Sequence, residues 1–173
     1  MRKQTVKLVT TGIFAAMITV MTAYICHIPY GMNGGYIHFG DTLIYLAAVF
    51  LPRPCALAAA AIGGGMADLL TAPVWMPATV IIKMLIVLPF SGKNGKLLCR
   101  RNIAAPFLAL VISATGYYVA EGLIFGSFAA PLASVAGSVI QSGGSAALFY
   151  AMAVLLERSH ANVRIRQLLG GET

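Results

Sequence analysis

Acidic residues are scarce in this chain: five Asp and Glu stand against twelve Lys and Arg in 173 residues, and only 10% of positions are charged. Hydrophobic residues make up 59% and the mean hydropathy is +0.84, well outside the soluble range, so the chain reads as an integral membrane protein. The three cysteines, Cys26, Cys55 and Cys99, have neither paired nor metal-type spacing, which argues against a disulfide scaffold and leaves the thiols as small hydrophobes. No G-x-x-x-x-G-K-[ST] loop occurs, so any ATP used must be hydrolysed by another chain, and no cofactor is expected here. H-E-x-x-H is missing, and His27, His38 and His160 are scattered with no Ser or Cys spaced to a base. Nucleophilic and zinc chemistry therefore lack a constellation, and neither a catalytic residue nor a metal ligand is assigned. Nor is there a fixed-period repeat or a loop long enough for a soluble domain, so residues 1–173 read as one membrane domain.

What is present is a series of apolar segments. A helix needs about 20 apolar residues to cross the bilayer, fewer where neighbours thin it. Six segments are expected as helices, at about 8–26, 41–52, 55–71, 76–91, 104–126 and 131–157, with Pro, Gly and Asn marking the turns. The first follows the basic stretch MRKQTVK. Its 18-residue apolar run exceeds the core of a secretory leader, so it reads as a membrane helix. The second and fourth are short, which suggests a compact all-α bundle. Eleven of the twelve basic residues fall on one side of this topology: Arg2, Lys3, Lys7, Arg53, Lys93, Lys96, Arg100, Arg101, Arg158, Arg164 and Arg166. The positive-inside rule then puts both termini in the cytoplasm. The excess charge marks orientation and argues against a nucleic-acid partner.

The twelfth, Lys83, falls inside the fourth segment. Asp41, Asp68, Glu121 and the neutral Gln141 also lie within apolar segments, so that five polar groups sit on five different helices. A charge near the membrane centre costs about 2.5–3.5 kcal/mol on insertion scales, so such groups usually face the bundle interior and have a role. Counted from the outer ends of their helices, Lys83 and Gln141 lie about 12 and 15 Å deep. All five fall between the outer surface and the midplane. Asp68 and Lys83, at comparable depth on consecutive antiparallel helices, are a candidate structural ion pair. Glu121 and Gln141 fit better as walls of a polar pocket opening outward, since one lysine cannot neutralise several carboxylates. For Asp41, a first-turn position suited to the helix dipole competes with ligand contact.

Tyr24, Tyr30, Tyr36, Trp75, Tyr117 and Tyr118 ring the same mouth. An interfacial belt accounts for about half of them. Trp75 also suits stacking on a planar ligand, and Tyr117 and Tyr118 lie one turn from Glu121. Small residues line helix one, where Gly12 and Ala16 are four apart; that face suits packing inside the bundle or docking of a separate partner. The small residues of the third segment, and Ser138, Ser142 and Ala146 of the sixth, read as internal packing.

Three blocks in order carry a likeness: GGYIHFGDTLIYLAAVFLP, AAAIGGGMADLLTAPVW and PATVIIK. Together they resemble the membrane-embedded substrate-binding (S) component of energy-coupling factor (ECF) transporters, the bacterial uptake systems for vitamins and related micronutrients. The resemblance spans roughly Thr11 to Lys83. It implies a multi-pass protein of the bacterial cell membrane that captures a scavenged compound from outside. Its implied partners are a transmembrane scaffold subunit and two cytoplasmic ATPases. The resemblance implies a first-loop cap, here Asn33 to Phe39, and ligand contacts from that loop and the outer halves of helices four to six. The polar and aromatic residues read above, taken with this resemblance, give an expected substrate-binding set of Tyr36, His38, Asp41, Trp75, Lys83, Tyr117, Glu121 and Gln141. The family's partner-docking alanine pair maps onto Gly12 and Ala16. No N-terminal Met-x-His is present, which argues against a metal substrate.

His38 then lies where the cap meets helix two, and can touch ligand, hold the loop to Asp41, or sit among headgroups. Carboxylates and aromatics around one lysine suit a neutral or cationic heterocycle with hydrogen-bond donors: a pyrimidine, pyridine, flavin or deazaguanine. The alternative is a small secondary transporter that works without partners, for which discontinuous helices or an inverted repeat are expected.

Overall fold

The computed structural model describes residues 2–25, 27–30, 35–92, 95–128 and 132–169. Cys26, Asn33 of the expected cap, Lys93, and Pro131 at the expected start of the sixth helix lie outside them.

The fold is an all-α membrane protein. Helix α1 (Arg2–Val20) runs on through a π-helical turn (Met21–Ile25) into a short antiparallel hairpin, β1 (Ile28–Pro29) and β2 (Tyr36–Ile37). Then follow α2 (Asp41–Phe50), α3 (Arg53–Thr71), α4 (Met76–Val87) after a 3-10 turn (Pro73–Trp75), α5 (Arg100–Phe125), α6 (Leu132–Arg158) and α7 (Ala161–Leu168). The chain lengths and apolarity of α1 with its extension, α3, α5 and α6 suffice to cross a membrane; α2 and α4 are shorter apolar helices. Helix α4 stops before Pro89, whose ring cannot continue the backbone ladder, four residues short of the expected end.

Ten residues of helix rise only about 15 Å, half the hydrocarbon thickness. All ten residues of α2 are buried, because the helix is wrapped by α1, α3, α4 and α6 and never meets lipid along its length. Midway along it is a ring cluster: Tyr45 stacks on Phe90 at 4.7 Å, and Phe149 meets it edge-on at 5.9 Å. Its first residue is Asp41, next to the hairpin.

The run Gly63-Gly64-Gly65 lets α3 lie close between α1 and α4. A side-chain carbon on Gly63 would come within 2.7 Å of Ile18, and the Thr19 hydroxyl donates to the Gly63 carbonyl at 3.1 Å. A carbon on Gly64 would come within 2.8 Å of the Lys83 stem, so this glycine makes the room in which Lys83 lies.

At the end away from the hairpin, Glu157 accepts from the backbone N–H groups of Leu97 and Leu98, and Arg101 donates to the carbonyls of Leu88 and Pro89 that end α4. Helix α7 was not legible as a helix: its eight residues are short and polar. It folds back so that Arg166 donates to the carbonyls of Gly92 and Val49.

Candidate functional site

Beneath the hairpin, α3, α4, α5 and α6 surround a cavity of about 80 Å³. Its wall includes Tyr36 and His38 from the connecting segment, Asp68 at the end of α3, Trp75, Thr79, Tyr117, Glu121 and Gln141. Six of the eight expected ligand residues are therefore brought together: Tyr36, His38, Trp75, Tyr117, Glu121 and Gln141.

Asp41 and Lys83 are not on that wall. The Lys83 ammonium lies 2.6 Å from an Asp41 carboxylate oxygen, with both side chains buried. This corrects the expected Asp68–Lys83 pair: the only ion pair among the described residues joins Lys83 to Asp41. The physical reason is direction. Asp41 opens the central helix and points into the bundle, whereas Asp68 turns toward the hairpin and accepts the Tyr36 hydroxyl.

The pair forms the floor of a hydrogen-bonded chain that reaches the hairpin. The Gln141 amide donates to the second Asp41 oxygen at 3.2 Å, and its carbonyl accepts from the His38 backbone N–H at 3.3 Å. His38 Nδ1 accepts from the Gly40 N–H at 3.1 Å, which puts the ring proton of neutral His38 on Nε2. Burial, reinforced by the Lys83 charge, pushes the His38 imidazole down from 6.5 to about 3. The Tyr36 phenol is driven above its ordinary value by burial and by the Asp68 charge, and stays a neutral donor.

The opposite wall is aromatic. Trp75 meets Tyr117 edge-on with ring centres 6.1 Å apart, the Tyr117 hydroxyl lies 3.0 Å from Thr79, and the Lys83 ammonium sits 5.5 Å from the Tyr117 ring centre. The neighbouring Tyr118 turns away and donates to the Phe128 carbonyl. The hairpin seats on α6 through two glycines: added carbons at Gly137 and Gly144 would come within 2.6 Å of Tyr30 and 2.3 Å of Phe39.

Thr79 and Gly137 line the cavity but were not singled out from the sequence, and Ser138, read there as internal packing, lines it too. Helical spacing carried the signal. Thr79 precedes Lys83 by four residues, and Ser138 and Gly137 precede Gln141 by three and four, so each shares a face with a polar residue already marked. On α1 the small residues split. Ala15 is buried beside Gly63, while Gly12 and Ala16 face outward, with open space around Gly12.

A lidded cavity of carboxylate, amide, hydroxyl and aromatic groups at one end of a membrane helix bundle defines a solute-binding membrane protein. The sequence matches the family described as ECF-type riboflavin transporter, S component, over residues 2–158. The chain belongs to that family: it is the substrate-binding subunit of a vitamin-uptake transporter and not an enzyme. No curated protein matched the sequence directly.

Proposed function

We propose that the chain captures riboflavin, or a close flavin relative, from outside a bacterial cell and delivers it to an ECF module whose two ATPases supply the energy. In this reading six helices, α1 to α6, traverse or enter the bilayer of the cytoplasmic membrane, both termini are cytoplasmic, and the hairpin end faces outward. The distribution of Lys and Arg at the far end supports that orientation. The chain needs no cofactor or metal, and ATP is used only by its partners.

The observation that carries the substrate assignment is the pairing of chemistries around one cavity. A flavin has a planar ring system that suits Trp75 and Tyr117, and imide and polyol groups that suit Asp68, Glu121 and Gln141. Asp68 accepts a hydroxyl already, from Tyr36, so a ligand donor can take that place. At about 80 Å³ the cavity is smaller than a three-ring heterocycle, so binding requires its wall to widen, and the hairpin seated on α6 is the part of that wall that would move. Asp41 and Lys83 act from below, by holding Gln141 in register. The exposed Gly12 and Ala16 provide the low-profile face on which the scaffold subunit docks.

Native mass spectrometry of the protein purified in detergent from riboflavin-containing cells tests the assignment. A retained molecule of flavin mass is expected, and a retained molecule of another class would overturn it.

A further inference from the structure

A second cavity, of about 680 Å³, opens at the other end of the bundle, more than eight times the size of the one beneath the hairpin. It lies among the start of α1, the end of α2, the segment after α4, and α7. Four cations line it, Lys7, Arg53, Arg101 and Arg166, over a floor that includes Phe50 and Phe90. Among the described residues no carboxylate lines it, and no ion pair neutralises any of the four. Glu157, the acid at this end among the described residues, is already taken by the amides of Leu97 and Leu98.

Like charges converging on a partly apolar cavity repel one another and are retained at a cost unless an anion joins them. Two of the four are held in position rather than left to wave in solvent. Arg101 is fixed to the end of α4, and Arg166 is fixed to Gly92 and Val49 with its guanidinium 6.0 Å from the Phe50 ring centre. The Nε of Arg166 is buried with no hydrogen-bond partner among the described residues. Guanidinium forks match phosphate oxygens in geometry, and preorganised forks lose less entropy on binding them. The apolar floor and the volume exceed what a bare phosphate ion needs. Under the orientation proposed above, this end meets the inner leaflet, whose surface carries anionic phospholipid.

We propose that this cavity is a binding site for a net-anionic phosphate group, presented either by an inner-leaflet phospholipid or by a soluble phosphate compound. The site is independent of the flavin assignment and is tested without flavin. Melting temperatures are measured in detergent at constant ionic strength with dioctanoyl phosphatidylglycerol, dioctanoyl phosphatidylcholine or inorganic phosphate. The wild-type chain is compared with Lys7→Gln/Arg53→Gln, which leaves the carbonyl-bound arginines in place, and with Arg166→Gln as a second variant. Gel filtration checks that each variant is folded.

A rise of about 3 °C with phosphatidylglycerol but not phosphatidylcholine, lost in the double variant, is expected for a lipid source. The same rise with inorganic phosphate, and no more with phosphatidylglycerol, supports the site with a soluble source. An equal rise in folded variants, or no rise with any of the three, overturns it. Loss of scaffold co-purification in the folded double variant, with no rise in the wild-type chain for any of the three, assigns the cavity to a protein contact instead.

Discussion

The ammonium of Lys83 on α4 lies 2.6 Å from the carboxylate of Asp41 on α2, and neither side chain exposes more than 1% of its surface. Removing one partner leaves the other charge buried and alone, which costs about 3–5 kcal/mol, whereas removing both is far milder. Lys83→Met and Asp41→Leu are each expected to lower the melting temperature sharply in detergent, and the double variant to recover most of the loss. Additive losses in the double variant would show that the two charges do not depend on each other.

Asp68 has a different task, since it faces the cavity and accepts from Tyr36. A hydrogen bond to a charged group is worth about 1.5–3 kcal/mol, so Asp68→Asn is expected to weaken flavin binding about tenfold to a hundredfold. Because the substitution also removes a buried charge, the melting temperature of the unliganded protein stays level or rises. Unchanged affinity by calorimetry would take Asp68 out of the site.

Gly144 and Gly143 are neighbours on α6 with opposite surroundings. An added carbon at Gly144 would meet the Phe39 ring at 2.3 Å, while one at Gly143 meets nothing within 4 Å. Gly144→Val is expected to keep the hairpin from seating and to speed ligand release about tenfold or more in stopped-flow fluorescence, with Gly143→Val close to wild type. Equal release rates from the two variants would mean that the hairpin does not govern exit.

Burial holds His38 neutral down to about pH 3 in the folded protein, against 6.5 in the unfolded chain. Below 6.5 the unfolded state therefore binds a proton that the folded state refuses, so stability is full above that pH and declines toward pH 3. In His38→Asn the side-chain oxygen can replace Nδ1 as acceptor for the Gly40 N–H without titrating. Thermal unfolding between pH 7.5 and 4.5 is expected to fall more steeply in wild type than in His38→Asn; parallel curves would contradict a buried neutral imidazole.

The sequence made the membrane class legible because apolarity is a one-dimensional property, and it placed the polar residues at one depth because helical rise is constant. It could not choose Lys83's partner. Asp41 and Asp68 are both at that depth, and the choice between them depends on how α2 is rotated within the bundle, which no residue count records. The same is true of α1, where Ala15 and Ala16 are adjacent in sequence but one is buried and the other exposed. The hairpin's seats at Gly137 and Gly144 were hidden for a related reason: a glycine in a helix reads as packing until the ring that occupies it is known. Helix α7 is short and polar, and its position depends on carbonyls from distant parts of the chain.

The central claim is that this chain alone, through the cavity beneath its hairpin, binds flavin. Titrating riboflavin into the purified protein, with no other subunit present and with flavin fluorescence as readout, tests it most directly. One site of submicromolar affinity is predicted, with fluorescence quenched by Trp75 and Tyr117 and the affinity weakened in Asp68→Asn. Folded protein that leaves riboflavin fluorescence unchanged at micromolar concentrations would contradict it.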